Sequence, residues 1–340
     1  MAPLKAVHLF DKGARYPQMI SQGLWAHPDI TVTFSKPFVS FGKVICDKSA
    51  NLFNDLLNCD LIFRSGDLFY NHPEIDHFIT ENKLWRKVLY YDFKDASTID
   101  NHRLHSCGAY FKRSWLKGLK RKPIPQTDIP IMPLDYCVLD EYLTDNEPQQ
   151  KDKNVVYLIK PDKKHAMRRY CVYVVLRAAR FSDSVIGSIT MHGEPGRKAI
   201  FESPENNAFI EYLKMLKRAK IVFTAFPDRW DGDSRTWEAF ASGGLVFMDT
   251  TGIPSPYPLE HMKHCIVFNA LSRNSLVHAV ELARHYLTHD DERNYLAQKG
   301  KDYILKHHRP VNRIDQMLRW FYDSEKRLEN HVKIPGRNVC

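Results

Sequence analysis

Short apolar runs alternate with amphipathic stretches of helical period from the first residues of the chain. "KAVHLF" (5–10) reads as a strand, followed by a loop at Asp11-Lys12-Gly13 and a helical stretch to about Trp25. "ITVTF" (30–34) is β-branched and strand-like, "NLFNDLL" (51–57) leads into "DLIFRS" (60–65), and "HPEIDHFITEN" (72–82) leads into "KVLYYDF" (87–93). Strands separated by helical patterns of this length predict right-handed crossovers and a parallel sheet. Polar groups at the carboxyl ends of such strands are where a parallel sheet binds its ligands.

The pattern breaks at "LTDNEPQQKDKN" (143–154), which has almost no apolar residue and reads as a linker. It then restarts with "VVYLI" (155–159), a helix over about 166–179, "SVIGSIT" (184–190), a helix over about 205–218, "KIVFTA" (220–225), a helix at 235–242, "LVFMD" (245–249) and "CIVFN" (265–269). A long amphipathic helix follows, with Leu276, Val280, Ala283 and Leu287 at helical spacing and Ser272 or Asn274 as its cap. The fold class is therefore α/β, with two Rossmann-like parallel-sheet domains facing a cleft. The expected boundaries are 1–145, 155–325 and a C-terminal tail at 326–340.

Composition narrows this picture. A chain of 340 residues is long for one ordinary domain, and its 44% hydrophobic and 26% charged residues fit packed domains rather than disorder. The apolar run "YCVYVVL" (170–176) is far too short to span a bilayer, and the N-terminus lacks the apolar stretch of a signal peptide, so a cytoplasmic protein is expected. Seven scattered cysteines show no metal spacing and read as reduced thiols. A net charge of +9 favours anionic partners without choosing among them.

The candidate chemistry concentrates in "RWDGDSRTWEAFASGGLVFMDTTGIPSPYP" (229–258). Asp233 or Ser234 caps a helix whose first turn carries Arg235 and Glu238, three residues apart and on one face. Backbone N–H groups, the positive end of the dipole and Arg235 suit a diphosphate, while a carboxylate suits a ribose diol. Gly243 and Gly244 predict a left-handed helix end packed closely on the next strand. A structural ion pair on a crossover helix explains Arg235 and Glu238 equally well. Other cations follow strands of the same half: Lys160, Arg168 and Arg169 after the first, Arg229 after another. The "TGIPSPYP" loop (251–258) is placed to wall a pocket beside them.

The segments "EYLKMLKRAKIVFTAFPDRWDGDSRTWEAFASGGLVFMD" and "ELARHYLTHDDERNYLAQKGKDYILKHHRP" resemble the C-terminal domain of GT-B glycosyltransferases, of the CgeB-like "glycosyl transferases group 1" type and more distantly of exostosin-like enzymes. The resemblance covers roughly 155–310; for the first half it rests on the order of elements. It implies a nucleotide-sugar co-substrate, a UDP- or GDP-sugar, with Glu238 on the ribose and Ser234 and Arg235 on the diphosphate. Asp233, Arg168, Arg169, Lys160 and Arg229 complete the implied donor set. It further implies hexosyl or pentosyl transfer, inverting as in the exostosin-like enzymes. The "DGD" at 231–233 matches the metal-binding Asp-x-Asp of the other glycosyltransferase fold, but its helix context argues against a required metal or other cofactor.

Inverting transfer needs a base, which the resemblance places in the first domain. Asp95 in "YYDFKDAST" ranks ahead of Asp11, with Asp67 and Asp92 as acceptor-binding candidates. The stretch "YFKRSWLKGLKRKPIP" (110–125) gathers Lys112, Arg113 and other cations around aromatic residues. It reads as an amphipathic helix with a basic face, or as a contact for an acidic glycan acceptor or nucleic acid. His307, His308 and Arg309 have no metal-spaced partner and read as surface residues. Two rival functions stay open: a sugar-nucleotide epimerase of the same architecture, and a basic nucleic-acid-binding protein without catalysis.

Overall fold

The computed structural model describes residues 2–10, 15–40, 43–66, 72–93, 98–113, 127–143, 150–159, 167–187, 207–226, 234–251 and 255–332. The first half forms a six-stranded sheet from β1 (Leu4–Leu9), β2 (Ile30–Phe34), β5 (Leu61–Ser65), β6 (Val88–Asp92), β7 (Ala109–Lys112) and β8 (Ile131–Pro133). All its pairings are parallel, in the order β2-β1-β5-β6-β7-β8. β5 and β6 are buried along their whole length, as central strands covered on both faces must be. Helices α1 (Arg15–Ala26), α2 (Leu52–Asn58), α3 (Pro73–Glu81) and α4 (Asn101–Leu104) connect the strands, and an antiparallel pair, β3 (Phe38–Ser40) and β4 (Lys43–Cys46), is inserted after β2.

The second half builds a five-stranded parallel sheet from β9 (Lys153–Leu158), β10 (Val185–Gly187), β11 (Ala219–Thr224), β12 (Leu245–Asp249) and β13 (Ile266–Phe268), in the order β10-β9-β11-β12-β13. Its helices are α5 (Met167–Ala179), α6 (Asn207–Lys217), α7 (Ser234–Ala241), α8 (Arg273–Thr288) and α9 (Asp290–His307). The Ser272 hydroxyl caps α8 by accepting from the Ser275 N–H at 3.3 Å. Two parallel α/β sheets are thus present as the alternation predicts. Each sheet has a reversal of strand order: between β1 and β5 in the first, and between β9 and β11 in the second.

The chain passes twice between the sheets. After α9 it crosses back, and α10 (Pro310–Val332) lies against α1 of the first half. Ile314, Met317 and Phe321 are buried in the same apolar cluster as Met19, Ile20 and Leu24. Gly23 makes the approach possible, because a Cβ there would stand 2.5 Å from the Pro310 carbonyl oxygen. The crossover is pinned by polar contacts: the Val138 N–H donates to the His308 carbonyl at 2.9 Å, and the Arg313 guanidinium donates to the Tyr136 carbonyl at 2.7 Å. His308 is only 2% exposed, so the surface reading fails for it. The crossover buries it beneath Trp237, with ring centroids 4.7 Å apart.

The basic stretch at 110–125 also departs from expectation. Residues 109–112 form β7, a buried strand, rather than the start of an amphipathic helix. Lys112 and Arg113 are fully buried, each neutralised or capped from within, and offer no basic face. The remainder of that stretch, 114–126, lies outside the described residues. Among the described cysteines all thiols are free; burial pushes Cys107 and Cys265 up to about 12.

Candidate active site

Two helices begin beside the strand-order reversal of the second sheet, and their first turns carry the cations and the carboxylate singled out above. α7 follows β11. Ser234 at its start is buried, Arg235 half-buried, and Thr236 donates to the Thr224 hydroxyl at the end of β11 at 3.2 Å. Glu238 is 2% exposed, and one of its carboxylate oxygens accepts from the Tyr212 hydroxyl of α6 at 2.7 Å. Gly243 has φ +73 and closes the helix by donating to the Phe240 carbonyl at 3.1 Å. A Cβ at Gly244 would stand 3.0 Å from the Ala219 carbonyl oxygen, which is the close helix-to-strand packing that the Gly-Gly pair predicts.

α5 follows β9 and brings the other cations. The Arg169 Nε donates to the Ala225 carbonyl at 3.1 Å, bridging the gap between the ends of β9 and β11. Arg168 reaches Asp249, the last residue of β12, at 3.2 Å. α5, which carries Arg168 and Arg169, and α7, which carries Ser234 and Arg235, therefore both begin at the carboxyl end of the sheet beside one strand-order reversal, where an open parallel sheet forms its ligand crevice. A helix start with arginine in its first turn suits a bound diphosphate. Lys160, Arg229 and Asp233 lie outside the described residues.

A cavity of about 230 Å3 adjoins the opposite side of α7. Thr236 and Trp237 form one wall, Met248, Thr250 and Thr251 another, and the segment 255–259 covers it. Asp135 of the first half and His308 of the crossover complete it. Thr251 and the described residues 255–259 after β12 line this cavity, while 252–254 lie outside the described residues. Arg235 and Glu238 are not among its described lining residues.

In the first half, Asp92 ends β6 at 1% exposure. Its carboxylate accepts from the Tyr110 hydroxyl at 2.5 Å and lies 3.3 Å from the Lys112 ammonium. Arg113 donates to the Tyr136 hydroxyl at 2.6 Å, with its guanidinium 5.1 Å from the ring centroid. Asp76 carries Arg64 and Arg103; burial alone would raise its carboxyl, but hydrogen bonds from the two guanidinium groups hold it below the usual range. His8 is fully buried between the Tyr91 hydroxyl at 2.7 Å and the Ser21 hydroxyl at 3.0 Å, and burial lowers it to about 3. Asp11, Asp67 and Asp95 lie outside the described residues.

Residues 175–319, which include α7 and most of the second sheet, match a family model described as glycosyl transferase-like. Three solved structures share the arrangement of the whole chain. A glycosyltransferase from Rickettsia africae ESF-5 is 10% identical with a TM-score of 0.54, covering 96% of this chain and 100% of its own. An alpha-glucosyltransferase in complex with UDP and a 13-mer DNA containing a HMU base is 11% identical with a TM-score of 0.53, covering 94% and 100%. HepE from Anabaena, in complex with UDP-glucose, is 10% identical with a TM-score of 0.51, again over 94% and 100%. The fold is that of the GT-B glycosyltransferases. No curated protein sequence matches the chain. In this GT-B arrangement the two sheets face one another, with α10 returning to the first as a second connection.

Two residues of the site were missed by sequence reasoning. Tyr212 sits on α6, with nothing in its local pattern to mark it as the partner of Glu238. Asp249 closes an apolar strand in "LVFMD", as Asp92 closes "VLYYD", and that repeated strand-end aspartate was a usable signal. No helix among the described residues is long and apolar enough to cross a membrane.

Proposed function

We propose that the protein is a glycosyltransferase that takes a nucleotide-activated sugar, a UDP- or GDP-sugar, and transfers the glycosyl group to a hydroxyl of a glycan acceptor. The single observation that carries the donor assignment is that α5, with Arg168 and Arg169, and α7, with Ser234, Arg235 and Glu238, both begin beside the strand-order reversal between β9 and β11. Arg235 and the first turn of α7 hold the diphosphate, and Glu238, fixed by Tyr212, receives the ribose diol. The neighbours whose names include UDP or UDP-glucose support this choice of ligand class. We place the base for an inverting transfer in the first domain, with Asp95 ahead of Asp11, and domain closure about 143–154 as the step that brings it to the acceptor.

The test is a thermal-shift and calorimetric comparison of UDP, GDP, dTDP and CMP on the wild type, Arg235→Ala and Glu238→Ala. A ligand that binds only the folded state raises the melting temperature with occupancy. One nucleotide should stand out, and each variant should weaken it tenfold or more. Unchanged nucleotide affinity in both variants defeats the donor assignment. Chelator in the same assay decides whether a metal is needed.

A further inference from the structure

Among the described residues, one group of three histidine, cysteine, aspartate or glutamate side chains brings its donor atoms within 4.8 Å of one another: His285, His289 and Glu292. They fall in "HYLTHDDE" (285–292), where steps of four and then three residues would put them on one face of an unbroken helix. The helix is broken there. His289 ends α8 and starts α9 with φ -121 and ψ 74, so His285 comes from the last turn of one helix and Glu292 from the first turn of the next. The three side chains converge nevertheless, in a stretch described without a gap from 255 to 323.

The hydrogen bonds assign the donor atoms. A carbonyl only accepts, so the contact of the His289 Nδ1 with the His285 carbonyl at 2.8 Å puts the proton of the neutral ring on Nδ1. The Thr288 hydroxyl donates to that same carbonyl at 2.8 Å and stands 3.0 Å from the His289 Nδ1, where it accepts. The His289 lone pair is therefore on Nε2, with the other nitrogen anchored to the main chain, which is how metal-binding histidines are oriented. His285 stacks on this ring with centroids 4.0 Å apart and places its Nε2 2.9 Å from the Glu292 Oε2. That separation is about what two ligands of one ion have when each bond is roughly 2.0–2.1 Å. Among the described residues the one ion-pair partner of Glu292 is His285, so no lysine or arginine competes with a bound cation.

Topology keeps this cluster away from the nucleotide. α8 leaves the carboxyl end of β13 at Ser272 and runs back along the sheet, so His285 and His289 lie towards the opposite end, where the Arg284 guanidinium donates to the Ala179 carbonyl at the close of α5 at 3.1 Å. Two imidazoles and a carboxylate suit zinc and its transition-metal neighbours, whereas magnesium and calcium take oxygen ligands. We propose that the Nε2 atoms of His285 and His289 and the Oε2 of Glu292 form a site for one divalent transition-metal ion of the zinc class, which joins the end of α8 to the start of α9. The ion takes the place of the proton shared by His285 and Glu292. All three side chains are exposed, so they close the remaining distance by rotating about their own bonds, and water completes the coordination. The site is independent of the donor reading and of any ion carried by a nucleotide diphosphate.

The experiment is calorimetric titration of zinc chloride into the full-length, tag-free, reduced protein without nucleotide, with melting curves in zinc, in magnesium and in EDTA. The wild type should bind zinc, and its melting temperature should rise with zinc but not with magnesium. His289→Ala and Glu292→Ala should each weaken zinc binding tenfold or more and abolish that rise. Both variants should keep the melting temperature of the wild type in EDTA, because exposed polar contacts contribute little. Their UDP affinity in EDTA should stay within twofold of the wild type. A wild type that does not bind zinc overturns the proposal, and so does zinc binding that either variant leaves unchanged, which would put the ion on other side chains. A fall in UDP affinity in the metal-free variants overturns the separation of the two sites. A wild type that binds zinc but no nucleotide defeats the donor reading alone.

Discussion

Asp92 and Asp249 occupy equivalent places in the two domains, each the last residue of an inner strand and each almost wholly buried. Their partners differ. Asp92 is neutralised by Lys112 from the adjacent strand, and both side chains have zero exposure. Asp249 is met by Arg168 from a helix, and that arginine is 21% exposed. In the first domain the ion pair is sealed inside the sheet end, whereas in the second the cation is partly exposed at the first turn of α5, next in the chain to Arg169. The same strand-end carboxylate is thus sealed in one domain and left beside a partly exposed cation in the other.

The largest effect should come from breaking the sealed pair. Asp92→Asn leaves Lys112 buried without its counter-charge, and the expected loss is about 3–5 kcal/mol in urea denaturation. A loss near zero would mean that water reaches Lys112 and that the two sites are alike. Arg168→Ala should cost less, about 1–3 kcal/mol, because Asp249 keeps the Ala270 N–H at 2.9 Å and the vacated side opens to water. Unlike Asp92→Asn, it should also weaken nucleotide binding; equal destabilisation with no change in affinity would erase the distinction.

Acid sharpens the comparison from another direction. His8 has an ordinary value of 6.5 in the unfolded chain and about 3 in the folded one, so below pH 6.5 the unfolded state takes up the extra proton. Stability is full above that point and falls as the pH drops towards 3, by about 2 kcal/mol at pH 5 from His8 alone. His308, lowered to about 2 first by burial and then by Arg313, acts with the same sign. His8→Gln should flatten part of the slope between pH 7 and 5 measured by chemical denaturation; an unchanged slope would show that His8 is not the group responsible. The smallest effect is expected at the exposed pair of Arg218 and Asp152. Arg218→Ala should leave the melting temperature unchanged within error, since exposed ion pairs contribute little.

Much of the fold was legible because it is written in local periodicity. β2 and β12 occupy the residues that their β-branched and apolar runs predict, and α8 starts at its serine cap. The Gly-Gly end of α7 was legible for the same reason, since a left-handed turn and close packing are properties of a few adjacent residues. β7 was misread because "YFKR" looks basic and exposed until Asp92 and Tyr136, distant in sequence, supply its partners. His308 was misread likewise, since only the crossover of the chain buries it.

The sequence by itself determined the two α/β repeats, the cap and glycines of α7, and the spacing that puts Arg235 and Glu238 on one helix face. These follow from hydrogen bonds and side-chain periods that act over a few residues. The tertiary structure decided that Arg168 and Arg169 reach the same strand-order reversal as α7. It decided that Tyr212 holds Glu238, and that Asp135 and His308 meet Trp237 around one cavity. Those meetings depend on strand order and on the return of α10 to the first domain, where packing between distant segments, rather than any local preference, sets which charges are sealed and which face the crevice.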